Sequence, residues 1–147
     1  MAEAKKPFSR DELVGFLNRM LETERAGANA LLNILEQHPR HGEAWTALRR
    51  VHADEAHNCG LLGAEIRRLG GDYSHATGDF LGKLLAIEGR RARVEFLARG
   101  LRWAVKRFDE ALARIADDPA RMAIVRMRES HLRSIAACEA VARSLAD

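Results

Sequence analysis

The chain has 147 residues, of which 47% are hydrophobic and 31% charged, and a formal net charge of +3. This length fits one domain, residues 1–147, with a proper core, and so small a positive excess does not indicate a nucleic-acid-binding protein. The sequence has no run of about 18 apolar residues and no secretory segment, so we expect no membrane span. Two cysteines make no disulfide framework, which favours the reducing cytoplasm.

Apolar residues recur every three to four positions along most of the chain, which predicts helices rather than strands. A capping box of Ser9 and Glu12 begins the first helix. Gly70 is expected to end the second helix in a left-handed conformation, and Asp118 to cap the fourth. The predicted helices cover about residues 9–38, 42–69, 80–116 and 119–146. The expected fold class is all-α, a single four-helix bundle.

The connection between the second and third helices has two interpretations. The third helix begins at Phe80 or nearer Leu84, and in the second case segment 70–83 becomes a free connection. Fourteen extended residues span roughly 45 Å, about the length of a 28-residue helix. The segment is therefore either a tight turn, or a crossover along the whole bundle that makes the second and third helices parallel. The sequence does not separate the two.

Three of the predicted helices place an ionisable side chain in the apolar stripe, where a leucine is expected. Steps of three and four residues reach Glu24 in the first helix, Glu55 in the second and His131 in the fourth. Each lies near the midpoint of its helix, as does Glu95 at the flank of the third stripe. Midpoints of antiparallel helices share one level of a bundle, so we expect these groups to converge.

Carboxylates that converge in a core need a counter-charge. A buried ionised carboxylate costs several kcal/mol unless it is paired or bound to a cation. A divalent metal ion is the simplest neutraliser of two or three such groups. The structural alternative is that a buried glutamate serves in a salt bridge, and that a buried histidine is a hydrogen-bonded core residue.

This arrangement resembles the ferritin-like superfamily, in particular rubrerythrin-type domains, whose di-iron site takes Glu from the first and third helices and Glu-x-x-His from the second and fourth. Glu24 in LETERAG, Glu95 in RVEFLARG and His131 in RESH stand at the matching positions. The sequence is also similar to small bacterial ferritin-like domains with ERAG and DEA segments. The resemblance implies a site for one or two iron ions, or another divalent metal, and oxygen or peroxide chemistry.

The second motif of this sequence differs from the family's pattern. Glu55 is followed three residues later by Asn58 instead of histidine. Asp54 and His57 keep the Glu-x-x-His spacing, but with a shorter carboxylate. Only one of these registers can face inward, and the apolar stripe favours Glu55. His57 is kept as a further candidate ligand.

The fourth motif has Arg128 where the family has a glutamate, and this leads to a contrasting hypothesis. A guanidinium directed into the core replaces a metal's positive charge and pairs with Glu24 or Glu55. The core is then a Glu–Arg–His network that holds no cofactor, in a non-enzymatic bundle that acts through oligomerisation or partner binding. Neither hypothesis assigns a catalytic residue. Under both we expect a homo-oligomer, by default a dimer.

Overall fold

A computed structural model describes residues 5–146, and over this range the chain is all-helical, with five helices and no strand. The helices are α1 (Arg10–Leu35), α2 (Glu43–Arg68), α3 (Phe80–Leu85), α4 (Arg90–Leu112) and α5 (Asp118–Ser144). The remaining ends of the predicted domain, residues 1–4 and 147, lie outside the described residues. None of the five helices has the length and apolar character needed to cross a membrane.

The ends of the helices follow from local hydrogen bonds. Ser9 and Glu12 form the predicted capping box at the start of α1. Gly70 ends α2 with φ +79°, and the N–H of Gly71 donates to the carbonyl of Ile66 at 2.9 Å, a Schellman pattern. The predicted cap of the last helix is wrong by one residue. The side chain of Asp117, not Asp118, accepts a hydrogen bond from the backbone of α5.

The predicted third helix, 80–116, is two helices. The short α3 ends at Leu85, and α4 begins at Arg90 after Gly89, whose φ of +94° is available to few residues other than glycine. The first helix also ends earlier than predicted, at Leu35 instead of residue 38, because residues 36–38 form a turn before Pro39.

Two apolar clusters, at opposite ends of the long helices, show the direction of each helix. One cluster takes residues from the end of α1, the start of α2, the start of α4 and the end of α5, for example Ile34, Leu48, Val94 and Val141. The other takes residues from the opposite end of each helix, for example Leu17, Ile66, Phe108 and Ile124. The helices α1 and α5 therefore run in one direction, and α2 and α4 run in the other.

Because α2 and α4 are parallel, residues 69–89 cross the molecule from one end to the other, and the tight turn is excluded. We call this segment the crossover. It runs beside α1, where the side chain of Asn18 donates to the carbonyl of Asp72 at 3.0 Å and accepts from the N–H of Ser74 at 2.7 Å. Further along, Arg25 donates to the carbonyl of Ala76 at 2.7 Å. The crossover, which includes α3, thus covers the side of the molecule between α1 and α4.

Candidate metal centre

Glu24, Glu55 and His131 meet in the middle of the molecule. Each lies between the parts of its own helix that supply the two apolar clusters. Their side chains are 1–3% exposed, and one ligand atom from each lies within 4.8 Å of the others. The structure therefore brings together the three residues that occupy the apolar stripes of α1, α2 and α5.

A glycine on α1 makes room for the second carboxylate. Gly27 lies one turn after Glu24, and a Cβ atom placed there is 3.3 Å from the carboxyl carbon of Glu55. That distance is shorter than ordinary van der Waals contact, so a side chain at this position would require the carboxyl group to move by a few tenths of an ångström. The absence of a side chain at Gly27 therefore leaves Glu55 room to lie close to α1.

The imidazole of His131 is held with one nitrogen toward the backbone and the other toward the carboxylates. Its Nδ1 lies 2.9 Å from the carbonyl oxygen of Met127, which can only accept, so Nδ1 carries the proton. Its Nε2 lies 3.0 Å from Oε1 of Glu24. The ring of Phe108 packs edge-on against the imidazole, with 5.0 Å between centroids. This orientation leaves Nε2 free either to bind a second proton or to offer its lone pair to a cation.

The two buried carboxylates have few hydrogen bonds and little opposite charge around them. Within the described chain, both oxygens of Glu24 and Oε2 of Glu55 are buried and accept no well-aligned hydrogen bond. Burial raises the pKa of Glu24, although the charge of His131 and the side chains of His131 and Asn58 act in the opposite direction. For His131, burial lowers the pKa, but the charge of Glu24 and hydrogen bonding outweigh it, so the pKa is raised. One imidazolium can balance only one of the two carboxylates.

Two polar residues that the motif comparison did not propose as ligands complete the surroundings of the centre. Asn58 is 2% exposed and lies one turn after Glu55 on the same face of α2. Its side-chain nitrogen donates to the hydroxyl of Ser130 at 3.2 Å. The position of Asn58 was visible in the sequence as the residue that replaces the motif's histidine. Ser130 gave no such signal beyond its place next to His131.

The structure does not bring Glu95 or His57 to the centre. Glu95 is half exposed on α4 and lies 3.6 Å from the guanidinium of Arg91, one turn earlier. The neighbouring Val94 and Leu97 face the core instead. Glu95 therefore lies at the level of the centre along the helix axis, but on a face of α4 that is turned away from it. His57 is exposed, as expected once Glu55 and Asn58 face inward. Within residues 5–146, no further Asp, Glu, His or Cys joins the three ligand atoms.

The hypothesis of a Glu–Arg–His network through Arg128 requires correction. The guanidinium of Arg128 lies at the surface, where it forms an ion pair with Asp109 of α4. Position 128 is three residues before His131, but the ion pair directs its long side chain toward α4 and away from the carboxylates. No charge from Arg128 therefore compensates Glu24 or Glu55.

A cavity of about 580 Å³ connects the centre with the surface between α1, α3 and α4. Glu24, Glu55 and His131 line its buried end. Its outer part is lined by exposed residues, among them Lys83 and Trp103. The centre is therefore buried and lies at the inner end of a cavity that opens to the surface.

Two carboxylates and one imidazole nitrogen are typical ligands of iron, manganese and zinc in proteins. The three groups present fit a single ion. They do not fit a pair of iron ions, which needs further carboxylates from α4 and α5.

Residues 11–140 of the chain match a family described as "Domain of unknown function (DUF6306)". No curated protein matches the chain, and no solved structure matches it. Because the match includes α2 and α4 entirely and all three residues of the centre, it covers nearly the whole fold. The chain belongs to the DUF6306 family.

Proposed function

We propose that this protein binds one divalent transition-metal ion, with iron as the first candidate, between Glu24, Glu55 and His131. The observation that supports the proposal is the convergence of three buried ligand atoms within 4.8 Å, with carboxylate oxygens that accept no well-aligned hydrogen bond. A divalent ion would balance both carboxylates and leave the imidazole neutral, which is the form that binds metals. The nitrogen ligand favours a transition metal over calcium or magnesium.

We also propose that the fold is a ferritin-like four-helix bundle, to which α3 is an addition within the crossover. Supporting this is the parallel arrangement of α2 and α4, since ferritin-like bundles have one long crossover connection. The ligands also come from the first, second and last long helices, in the order that the resemblance implies. Because Glu95 of α4 faces away, the proposal is for one ion where the family binds two.

An ion held by three protein groups retains coordination positions for a small molecule. The cavity leads to these positions, so dioxygen or peroxide would have access to the ion. Oxidase or peroxidase activity with iron is accordingly the activity to assay once metal binding is established. The residues of this chain would hold and position the ion.

The direct test is elemental analysis of protein purified without chelators, before and after anaerobic loading with iron(II). We expect about one ion per chain in the wild type, and its loss in Glu24→Gln, Glu55→Gln and His131→Gln. Glu95→Gln is the matched control, since it removes the same charge from the surface of α4. Wild-type protein without metal under both conditions, or metal retained in all three site variants, would refute the proposal.

We also propose that the protein forms a homodimer and that it is located in the cytoplasm. Large apolar side chains are exposed on several elements and offer surface for self-association. These are Leu32, Tyr73, Leu85, Trp103, Met122 and Leu132. Light scattering coupled to gel filtration would give the mass in solution, and a monomer at all concentrations would refute the dimer.

A further inference from the structure

We propose that the cavity beside the centre is a binding site for an organic molecule with an apolar body and one oxygen-donor head group, a carboxylate or hydroxamate, that completes the coordination of the ion. This inference rests on the proposed metal site and names the class of molecule that the site takes. Its grounds are the depth, the walls and the buried end of the cavity.

The cavity has a polar end at its greatest depth, and its walls between that end and the surface are mainly apolar. At the buried end lie the carboxylates of Glu24 and Glu55, and the Nε2 of His131 is directed at Glu24. A free carboxylate would be repelled there, whereas a bound divalent ion reverses the sign of the interaction. Binding of an anionic donor in the cavity should therefore depend on metal.

Aromatic side chains and a glycine form the wall between the centre and the surface. Phe80 of α3 stacks on Phe96 of α4, with 4.8 Å between ring centroids. The ring of Phe80 lies against Gly100, where an added Cβ atom would be only 3.0 Å away. A hydrocarbon chain or ring matches such a wall, because burial of apolar surface is the main favourable contribution to its binding.

The size and the mouth of the cavity fit the same class of molecule. A volume of about 580 Å³ lies within the range of small-molecule sites, roughly 300–1,000 Å³, and far exceeds what dioxygen or peroxide requires. Toward the mouth, three cationic side chains outnumber two acidic ones; the cations are Arg19, Lys83 and Arg99, and the acids are Glu22 and Asp79. Of these, Lys83 lies 3.5 Å from Asp79, and Arg99 lies over the ring of Phe96. The cations favour the approach of an anion.

The experiment compares two hydroxamates that differ in chain length, acetohydroxamate and octanohydroxamate, on zinc-loaded and metal-free protein. Trp103 lines the cavity and reports binding through its fluorescence, in a Trp45→Phe background that removes the other tryptophan. We expect octanohydroxamate to bind the zinc-loaded protein at least roughly tenfold more tightly than acetohydroxamate, since each buried methylene adds to the affinity. Binding to metal-free protein should be weaker by at least the same factor.

A pair of glycine variants tests the position of the ligand. Gly100→Leu places a side chain against Phe80 in the cavity and should abolish the preference for the longer chain without removing zinc. Gly60→Leu is the matched control, because no described atom outside its own helix lies within 4 Å of a Cβ atom there. The comparison of chain lengths on the Trp45→Phe protein needs neither glycine variant, so it decides the question even if Gly100→Leu fails to fold.

Each outcome has one meaning, because zinc content is measured in the same samples. Equal affinity for the two hydroxamates, equal affinity with and without zinc, or an unchanged preference in Gly100→Leu would overturn the ligand site while the metal site stands. Absence of zinc from the loaded protein would overturn the metal site, and with it this inference.

Discussion

Glu24 is the most buried carboxylate of the centre, and this burial lowers the free energy of unfolding of the metal-free protein. Glu24→Gln keeps the shape of the side chain and removes one of the two buried carboxylates that the single imidazole of His131 has to balance. We therefore expect the variant to lose metal but to unfold with a free energy higher by about 1–3 kcal/mol than metal-free wild type at neutral pH. Chemical denaturation in the presence of a chelator measures this difference. A destabilised Glu24→Gln would show that the carboxylate is compensated in the metal-free fold.

The same carboxyl group gives the stability a defined dependence on pH. Because the pKa of Glu24 is raised above its ordinary 4.5, the folded chain holds this proton to higher pH than the unfolded chain does. Its contribution to stability is thus present below that value and is lost as pH rises through the folded pKa. The raised pKa of His131 acts in the same direction, from its ordinary 6.5 upward. The advantage of Glu24→Gln over metal-free wild type should grow as the pH rises above 4.5, the ordinary pKa of the glutamate. An advantage that shrinks as the pH rises would contradict the assignment.

The sequence predicts the residues of the centre well when it fixes the face of a helix on which a side chain lies, and less well when it fixes only the position along the helix axis. Helical steps from apolar residues predict Glu24, Glu55 and His131, because such steps fix the face of the helix on which a side chain lies. The prediction of Glu95 rests mainly on its depth along the helix. On α4 the buried face is centred on Val94 and Leu97, and Glu95 lies to its side. Asn58 and Ser130 also stand at helical steps within the buried faces, but no local pattern contains the hydrogen bond that joins them across α2 and α5.

At the scale of the elements, the crossover offers a matched pair of glycines. Gly78 has φ +73°, whereas Gly82 lies within α3. Apart from the adjacent residues and the backbone of the same helix, no described atom lies within 4 Å of a Cβ atom added at either position. Only the backbone conformation therefore separates the two sites. We expect Gly78→Ala to lower the free energy of unfolding by about 1–2 kcal/mol and Gly82→Ala to raise it by roughly 0.5–1 kcal/mol. Equal effects in thermal or chemical unfolding would show that the crossover unfolds separately from the long helices.

The attachment of the crossover to α1 is tested through Asn18. Its two hydrogen bonds to residues 72 and 74 are the contacts that its side chain contributes, and Asn18→Ala removes both. We expect a loss of about 1–2 kcal/mol and faster amide hydrogen exchange in residues 72–78. Asn33→Ala is the control, since the side chain of Asn33 donates to the carbonyl of Asn29 in its own helix and, among the described residues, to no other element. Exchange that accelerates equally in both variants would argue against a specific attachment.

The crossover also shows why the topology was open at the level of sequence. The length of segment 70–83 was compatible with a turn or a crossing, since chain length limits only how far a connection can reach. What decides between them is its attachment along α1, and these contacts join residues more than fifty positions apart. The long helices α1, α2 and α5, in contrast, follow from local periodicity and end signals.

At the scale of the whole molecule, a metal ion at the centre would join three helices that are distant in sequence. Glu24, Glu55 and His131 belong to α1, α2 and α5, and the unfolded chain does not hold them together. Binding should therefore stabilise the entire fold. Free metal at about 100 times its dissociation constant should add about 2.7 kcal/mol, or roughly 5–10 °C in Tm for a chain of this size.

This stabilisation is measured by thermal unfolding with manganese(II), zinc(II) or anaerobic iron(II), and again after addition of a chelator. Magnesium and calcium should shift the Tm less at the same concentration, because the nitrogen of His131 discriminates against them. Glu55→Gln should abolish the shift, whereas Glu95→Gln, with the same loss of charge on the exposed face of α4, should retain it. An equal shift of the Tm in Glu55→Gln and Glu95→Gln would contradict the proposal. It would place the bound metal on the surface and leave the buried carboxylates as a feature of the fold alone.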